Sequence, residues 1–179
     1  MEGGRNVDST VSRFIRYAEC ASESHNEKAF CEYMEQELAG MGIPFERQEL
    51  GSEVVTDGWN ILARIPGRSG KNPFLFVFHL DTAAPSNQVE VCVEGGCIRS
   101  KGSSVLGADG KLAIAVVMEA VERLMQEGEI NRPIELLFTV CQELGLHGAK
   151  YADYSRIESE EAIVIDHYVT GEVLTRTPA

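Results

Sequence analysis

The chain has 179 residues, 44% of them apolar and 25% charged, which is the make-up of one soluble domain with a real core and too short for two ordinary ones. Its net charge of -12 disfavours partners held by phosphate neutralisation, so nucleic acid and membrane surfaces are not expected, although it can conceal carboxylates that want a cation. Five cysteines, an odd number without a C-x-x-C pair, suit reduced thiols and a cytoplasmic location, and no apolar run approaches the ~20 residues that span a bilayer.

In chain order, Val11, Phe14, Ile15 and Ala18 recur at helical spacing and predict an amphipathic helix over about 9 to 22. Ser24 and Glu27 have capping-box spacing ahead of a second helix marked by Phe30, Met34 and Leu38. That helix should stop near Gly40 and Gly42, before Pro44. "FERQEL" and "NILARIPG" read as strands. "PFLFVFHLD" is apolar without alternation, as in a strand buried on both faces. "VEVCVEGGCIRS" alternates and turns at Gly95-Gly96, which predicts a hairpin across which Cys92 and Cys97 could face each other. Residues 111 to 126 form a largely apolar helix, "PIELLFTV" another buried strand, and "EAIVID" a third. Strands alternating with helices imply an α/β fold with a mixed, largely parallel central sheet flanked by helices.

Three of the strands share an ending. One runs into His79 and Asp81, one into Gln142 and Glu143, and one into Asp166 and His167. In α/β sheets ligands bind at the carboxyl ends of parallel strands, so these groups should meet at one edge, joined by Asp109 from "GADGK". Each acid alone reads as a solvated turn residue, and His79 alone as a hydrogen-bonded core histidine. Together they would repel one another unless a cation compensates. A histidine among carboxylates suits zinc or a related transition ion better than calcium or magnesium.

The ordered motifs "FHLDT", "LGADGK", "FTVCQELGLHGAK" and "IDHYVTGEVLTRTPA" resemble the co-catalytic di-zinc metallopeptidases, closest in flavour to the peptidase T-like branch. Carboxypeptidase G and the deacylases of acetylornithine and succinyl-diaminopimelate belong to the same group. The resemblance implies a zinc-exopeptidase-like three-layer sandwich. It also implies a metal-dependent hydrolase of peptide or N-acyl amino acid amide bonds, an aminopeptidase or tripeptidase. His79 and Asp166 would bind one zinc, Glu143 the second, and Asp109 both, with Mn2+ or Co2+ as substitutes. The peptide bond after Asp109 is often cis in that family. Asp81 would orient His79.

Three departures accompany the resemblance. Gln142 stands where the family has the glutamate that accepts a proton from the attacking water, and an amide cannot do so. Gly110 replaces what is often a second aspartate. The family continues past "TRTPA" into a lid or dimerisation domain and a late histidine ligand. The chain is therefore expected to be a single partial catalytic domain, 1–179, with the second metal site incomplete and activity impaired. His147 and His167 are weighed as substitutes for the late ligand, with a solvated loop histidine as the default for both; Gly145 and Gly148 argue against a settled helix at His147. His25 belongs to the second helix cap. The alternatives are an inactive pseudoenzyme, half of a split enzyme, or a metal-binding interaction module. Uncovered apolar surface would favour a homo-oligomer or pairing with a complementing C-terminal half.

Overall fold

The computed structural model describes residues 4–167, 169 and 171–175. The last four residues of the "GEVLTRTPA" motif lie outside the described residues. Helix α1 (Gly4–Glu19) and helix α2 (Lys28–Gly40) come first, followed by β1 (Phe45–Gln48), β2 (Asn60–Ile65) and β3 (Phe74–His79). The hairpin β4 (Val91–Glu94) and β5 (Cys97–Ser100) precedes the long helix α3 (Ala108–Glu127). Strand β6 (Ile134–Thr139), the one-turn helix α4 (His147–Lys150), a 3-10 turn (Tyr154–Arg156) and β7 (Glu161–Val164) complete it.

The main sheet has the order β1-β2-β6-β3-β7 and is mixed. Strand β3 runs parallel to both β6 and β7, whereas β1, β2 and β6 pair antiparallel. The parallel half matters for function, because β3, β6 and β7 then end at the same edge. His79 lies opposite Thr139, and Val77 opposite Val164.

Successive strand residues face opposite sides of the sheet. On one side Ile61, Ala63, Phe78, Leu136 and Phe138 join Phe14, Tyr17, Phe30, Met34, Ile114 and Met118 of the three long helices in the main core. On the other, Leu62, Leu75 and Leu137 form a small cluster under Ile157, with Val77 partly buried. Among the described residues the covering layer on that second side is thin. It is tied down by Glu135, buried on β6, whose carboxylate accepts from the Glu158 and Ser159 backbone N–H groups and the Ser159 hydroxyl. This clamp sets the chain immediately before β7, and so the strand that carries Asp166.

Two local expectations are corrected. Ser24 and Glu27 do not form a capping box, for Glu27 occupies the N-cap position of α2 without a side-chain cap bond. The Lys28 N–H is satisfied instead by the carboxylate of Asp57, a residue from a distant turn. Cys92 and Cys97 do not face each other. Gly95 and Gly96, both with positive φ, make a two-residue turn that pairs Glu94 with Cys97 and Cys92 with Arg99. All five cysteines are free thiols. No described helix is long and apolar enough to cross a membrane.

Candidate metal centre

His79 is the last residue of β3 and is 4% exposed. Its Nδ1 lies 2.9 Å from the backbone carbonyl of Asp81 and so carries the proton. Nε2 is thereby directed outward, 3.1 Å from Asp109 Oδ1 and 3.7 Å from Asp166 Oδ1. One ligand atom from each of His79, Asp109 and Asp166 lies within 4.8 Å of the others. Three elements, a strand end, a helix start and the segment after β7, deliver these three atoms to one point.

Asp109 is presented by a break at the start of α3. Asp109 and Gly110 have non-helical backbone angles, and Gly110 has a φ of 67°. A Cβ at position 110 would stand 2.7 Å from the His79 carbonyl oxygen and 2.8 Å from His79 Nε2. Glycine here is thus a steric requirement of bringing the helix start against the histidine. The expectation of a cis bond after Asp109 is corrected, since the one cis peptide among the described residues is Ala84-Pro85. Gly110→Ala is expected to destabilise the fold by about 1–3 kcal/mol from the backbone conformation alone. It should also displace His79, so thermal melting and metal titration should both register the change.

Asp81 lies beneath the histidine, fully buried. Its carboxylate accepts from Ser24 Oγ at 2.6 Å, from the Gln142 N–H at 2.8 Å and from the Glu143 N–H at 3.1 Å. One oxygen is also 3.5 Å from His79 Nδ1. Burial opposes its charge, but the bonds from His79, Ser24 and the two backbone N–H groups outweigh that and hold its pKa below the usual carboxylate range. Burial likewise opposes charge on His79, yet Asp81, Asp166 and Asp109 together raise its pKa to about 9. Asp81 therefore links the end of β3 to the turn after β6.

That turn is held from two further sides. The buried Asn60 amide accepts from the Val140 N–H and donates to the Gly148 carbonyl. Glu27, also fully buried, accepts from the Cys141 N–H at 3.0 Å and from the Thr56 hydroxyl at 2.6 Å. Cys141 has a φ of 52°, the left-handed kink that swings Gln142 and Glu143 off the strand. Ser24 and Glu27 have the spacing of a helix cap, and Asn60 opens a strand pattern. Nothing in local spacing marks them as supports of this turn.

The four ligands expected from sequence do not meet equally. Glu143 is exposed and stands outside the group of three. Its pKa is raised by partial burial and by the charges of Asp109, Asp81 and Asp166, so it shares their field. The Asp166 carboxyl is raised by burial and by a hydrogen bond with Asp109, against the pull of His79 and Gln142. Gln142 Nε2 donates to Asp166 Oδ2 at 2.9 Å. His147 begins the one-turn helix that Gly145 and Gly148 argued against. Gly148 serves there because a Cβ would meet the Val140 backbone at 2.3 Å. His167 Nε2 lies 3.2 Å from Glu172 Oε2. His25 sits in the turn before α2 with Nδ1 against the Val55 carbonyl. None of the three joins the His79 group. Beside the site a cavity of about 510 Å3 opens between α3 and the segment after β7. Asp109 and Asp166 border it, with Leu112, Val116 and Ile165 as an apolar wall.

The chain is 27% identical over 161 residues to the uncharacterized protein YqjE of Bacillus subtilis (strain 168), spanning 90% of this chain and 43% of that one. It is 28% identical over 203 residues to peptidase T of Geobacillus kaustophilus (strain HTA426), spanning 91% and 49%. Among solved structures, the aminopeptidase PepT from Bacillus cereus ATCC 10987 superposes with a TM-score of 0.86 at 27% identity, over 89% of this chain and 43% of that one. A tripeptidase from Staphylococcus aureus superposes with a TM-score of 0.85 at 22% identity, which speaks for the fold alone. The chain spans about half the length of the curated relatives it matches. The family model for peptidase family M28 matches residues 60–169, the stretch from β2 through Asp166 that builds the site. The chain belongs to peptidase family M28.

Proposed function

We propose that this chain is the metal-holding part of a peptidase T-like hydrolase of peptide or N-acyl amino acid amide bonds, a single partial catalytic domain. The observation that carries the proposal is the meeting of His79, Asp109 and Asp166 within 4.8 Å, at the carboxyl edge of the parallel strands. These residues fit a divalent transition metal. They offer one outward-facing imidazole nitrogen and two carboxylates, three protein ligands of the N and O types that zinc accepts in a catalytic shell. Burial first, and the neighbouring carboxylates after it, raise the pKa of Asp166 and Glu143. A first zinc would be held by His79, Asp109 and Asp166, and a second, less completely, by Asp109 and Glu143; Mn2+ or Co2+ suits the same donors.

A divalent ion bound there supplies Lewis-acid chemistry, polarising an amide carbonyl and making water more acidic. The chain's own residues do the rest. The Asp81 backbone carbonyl holds the proton on His79 Nδ1 and leaves Nε2 as the donor atom. The cavity beside Asp109 and Asp166 offers an apolar wall for a substrate side chain. Gln142 occupies the strand end from which a carboxylate could take a proton, and it has no basic site to do so. The five free thiols fit a reducing, cytoplasmic compartment.

The same glutamine favours a second reading, a metal-binding module without hydrolytic turnover. Assays on tripeptides and N-acyl amino acids, with and without added zinc, manganese or cobalt, separate the two. The expected result is stoichiometric metal binding with peptide turnover reduced by roughly 10²- to 10⁴-fold against a glutamate-bearing relative, the usual worth of a general base. Gln142→Glu alone is expected not to bring full turnover, because among the described residues Glu143 stands outside the group formed by His79, Asp109 and Asp166. Metal binding with no turnover in either form would favour the binding module, and absence of metal binding would sink both readings.

A further inference from the structure

We infer that Gln142 is a positioning residue for the metal site, its side-chain amide holding Asp166 in the orientation that faces His79. The inference rests on the metal-binding reading above and adds a role that a missing proton acceptor alone does not supply. Asp166 has two carboxylate oxygens with different partners. Oδ1 is 3.7 Å from His79 Nε2, and Oδ2 accepts the Gln142 Nε2–H at 2.9 Å. An ionised carboxylate oxygen accepts, so the nitrogen end of the amide faces Oδ2.

Gln142 is itself fixed. Its backbone N–H is held by Asp81 Oδ1 at 2.8 Å, and Asp81 also sets the ring of His79. The contacts therefore close a circuit from Asp81 to Gln142, to Asp166, to His79 and back to Asp81. Asp166 needs such a tether. It lies beyond the last paired residue of β7, Val164, on a segment without ladder hydrogen bonds of its own. Of the groups beside its side chain, Asp109 is another carboxyl, His79 lies nearest Oδ1, and the Gln142 amide is a neutral donor at Oδ2.

A glutamate at this position would add a third carboxylate beside Asp166, which already meets the Asp109 carboxyl, and would call for a further proton or cation between them. The amide keeps Asp166 in place whether or not a metal is present. Position 142 thus exchanges a proton acceptor for a permanent donor to a metal ligand. Partners of this kind orient ligands, and their loss typically weakens metal binding by about 10- to 100-fold.

The test measures zinc and manganese affinity of the whole chain by competition with a chromophoric chelator, alongside thermal melting of the metal-free protein. Gln142→Met keeps the length of the side chain and removes the donor; Gln142→Ala does the same with less bulk, in case one variant folds poorly. His79→Ala serves as the control for the site itself. The expected result is binding by the unaltered chain, loss of it in His79→Ala, and about tenfold or greater weakening in both Gln142 variants. Their metal-free melting should stay close to that of the unaltered chain, which a merely structural role would not allow. Equal affinity in the unaltered chain and the Gln142 variants would overturn the inference and leave the metal reading standing. No binding by the unaltered chain would overturn the metal reading and this inference with it.

Discussion

Replacing Asp81 with alanine is expected to cost about 3 kcal/mol of folding stability and to weaken metal binding by at least about tenfold. The side chain is fully buried and accepts from Ser24, from the backbone of Gln142 and from the backbone of Glu143. Alanine leaves these donors without their acceptor, and each unpaired buried group costs about 1–3 kcal/mol. Part of that is recovered where water reaches the turn, which keeps the sum near the lower end. The effect on metal follows a different route. The turn at 141–143 loses its link to the end of β3, so Gln142 no longer sits where it can hold Asp166. Asp81→Asn keeps the shape and one acceptor oxygen, and should fall between the two. Urea unfolding of the metal-free protein measures the first effect and chelator competition the second. A stability change below about 1 kcal/mol would show that this carboxylate does not hold the turn.

Arg13→Met is expected to destabilise the fold by about 3 kcal/mol while leaving metal affinity unchanged. Arg13 lies on α1, buried, with its guanidinium spread over three carboxylates. Nε donates to Glu37 of α2 at 2.8 Å, one terminal nitrogen to Glu119 of α3 at 2.5 Å, and the other to Glu122. Tyr17 adds a bond to the second oxygen of Glu37, and Ser9 one to Glu119. Methionine preserves the packing of the stem and removes the guanidinium that Glu37, Glu119 and Glu122 share, leaving three carboxylates without that common donor. Glu119 and Glu122 are partly solvated, which places the expected loss at the low end of the range for breaking a buried ion pair. Arg13→Lys should recover a fraction only, because one ammonium cannot span three acceptors in fork geometry. Among the described residues no hydrogen bond joins Arg13, Glu37, Glu119 or Glu122 to His79, Asp109 or Asp166. Denaturant unfolding together with metal titration tests both halves of the statement. Equal losses in stability and in metal affinity would show that the helix junction and the site are coupled.

The two networks differ in how visible they are in the sequence. The strand-end acids could be picked out because each closes an apolar run, and a run without alternation marks a strand buried on both faces. Gly95-Gly96 specifies its hairpin and register through two positive φ angles, a requirement met within four residues. Arg13 gave no such signal. It sits on the polar side of an amphipathic pattern, where a charged residue is expected to meet water, and only the approach of α2 and α3 encloses it. Ser24 and Glu27 were misplaced for a related reason. Their spacing satisfies a local motif, yet Ser24 bonds a residue 57 positions away and Glu27 one 114 positions away.

The sequence by itself determined the order of the long helices and strands and the polar residues that follow the apolar runs. These depend on periodicity, turn chemistry and side-chain character, all of which act over a few residues. Only the tertiary structure decided that half of the sheet is antiparallel, that α2 is capped from Asp57, that Gly110 must pass against His79, and that Gln142 donates to Asp166. Each of these depends on which distant backbone comes within hydrogen-bond or van der Waals reach. A short polar side chain in a turn can satisfy its bonding locally or across the fold, and burial of the donors around Asp81 is what makes the distant choice the stable one.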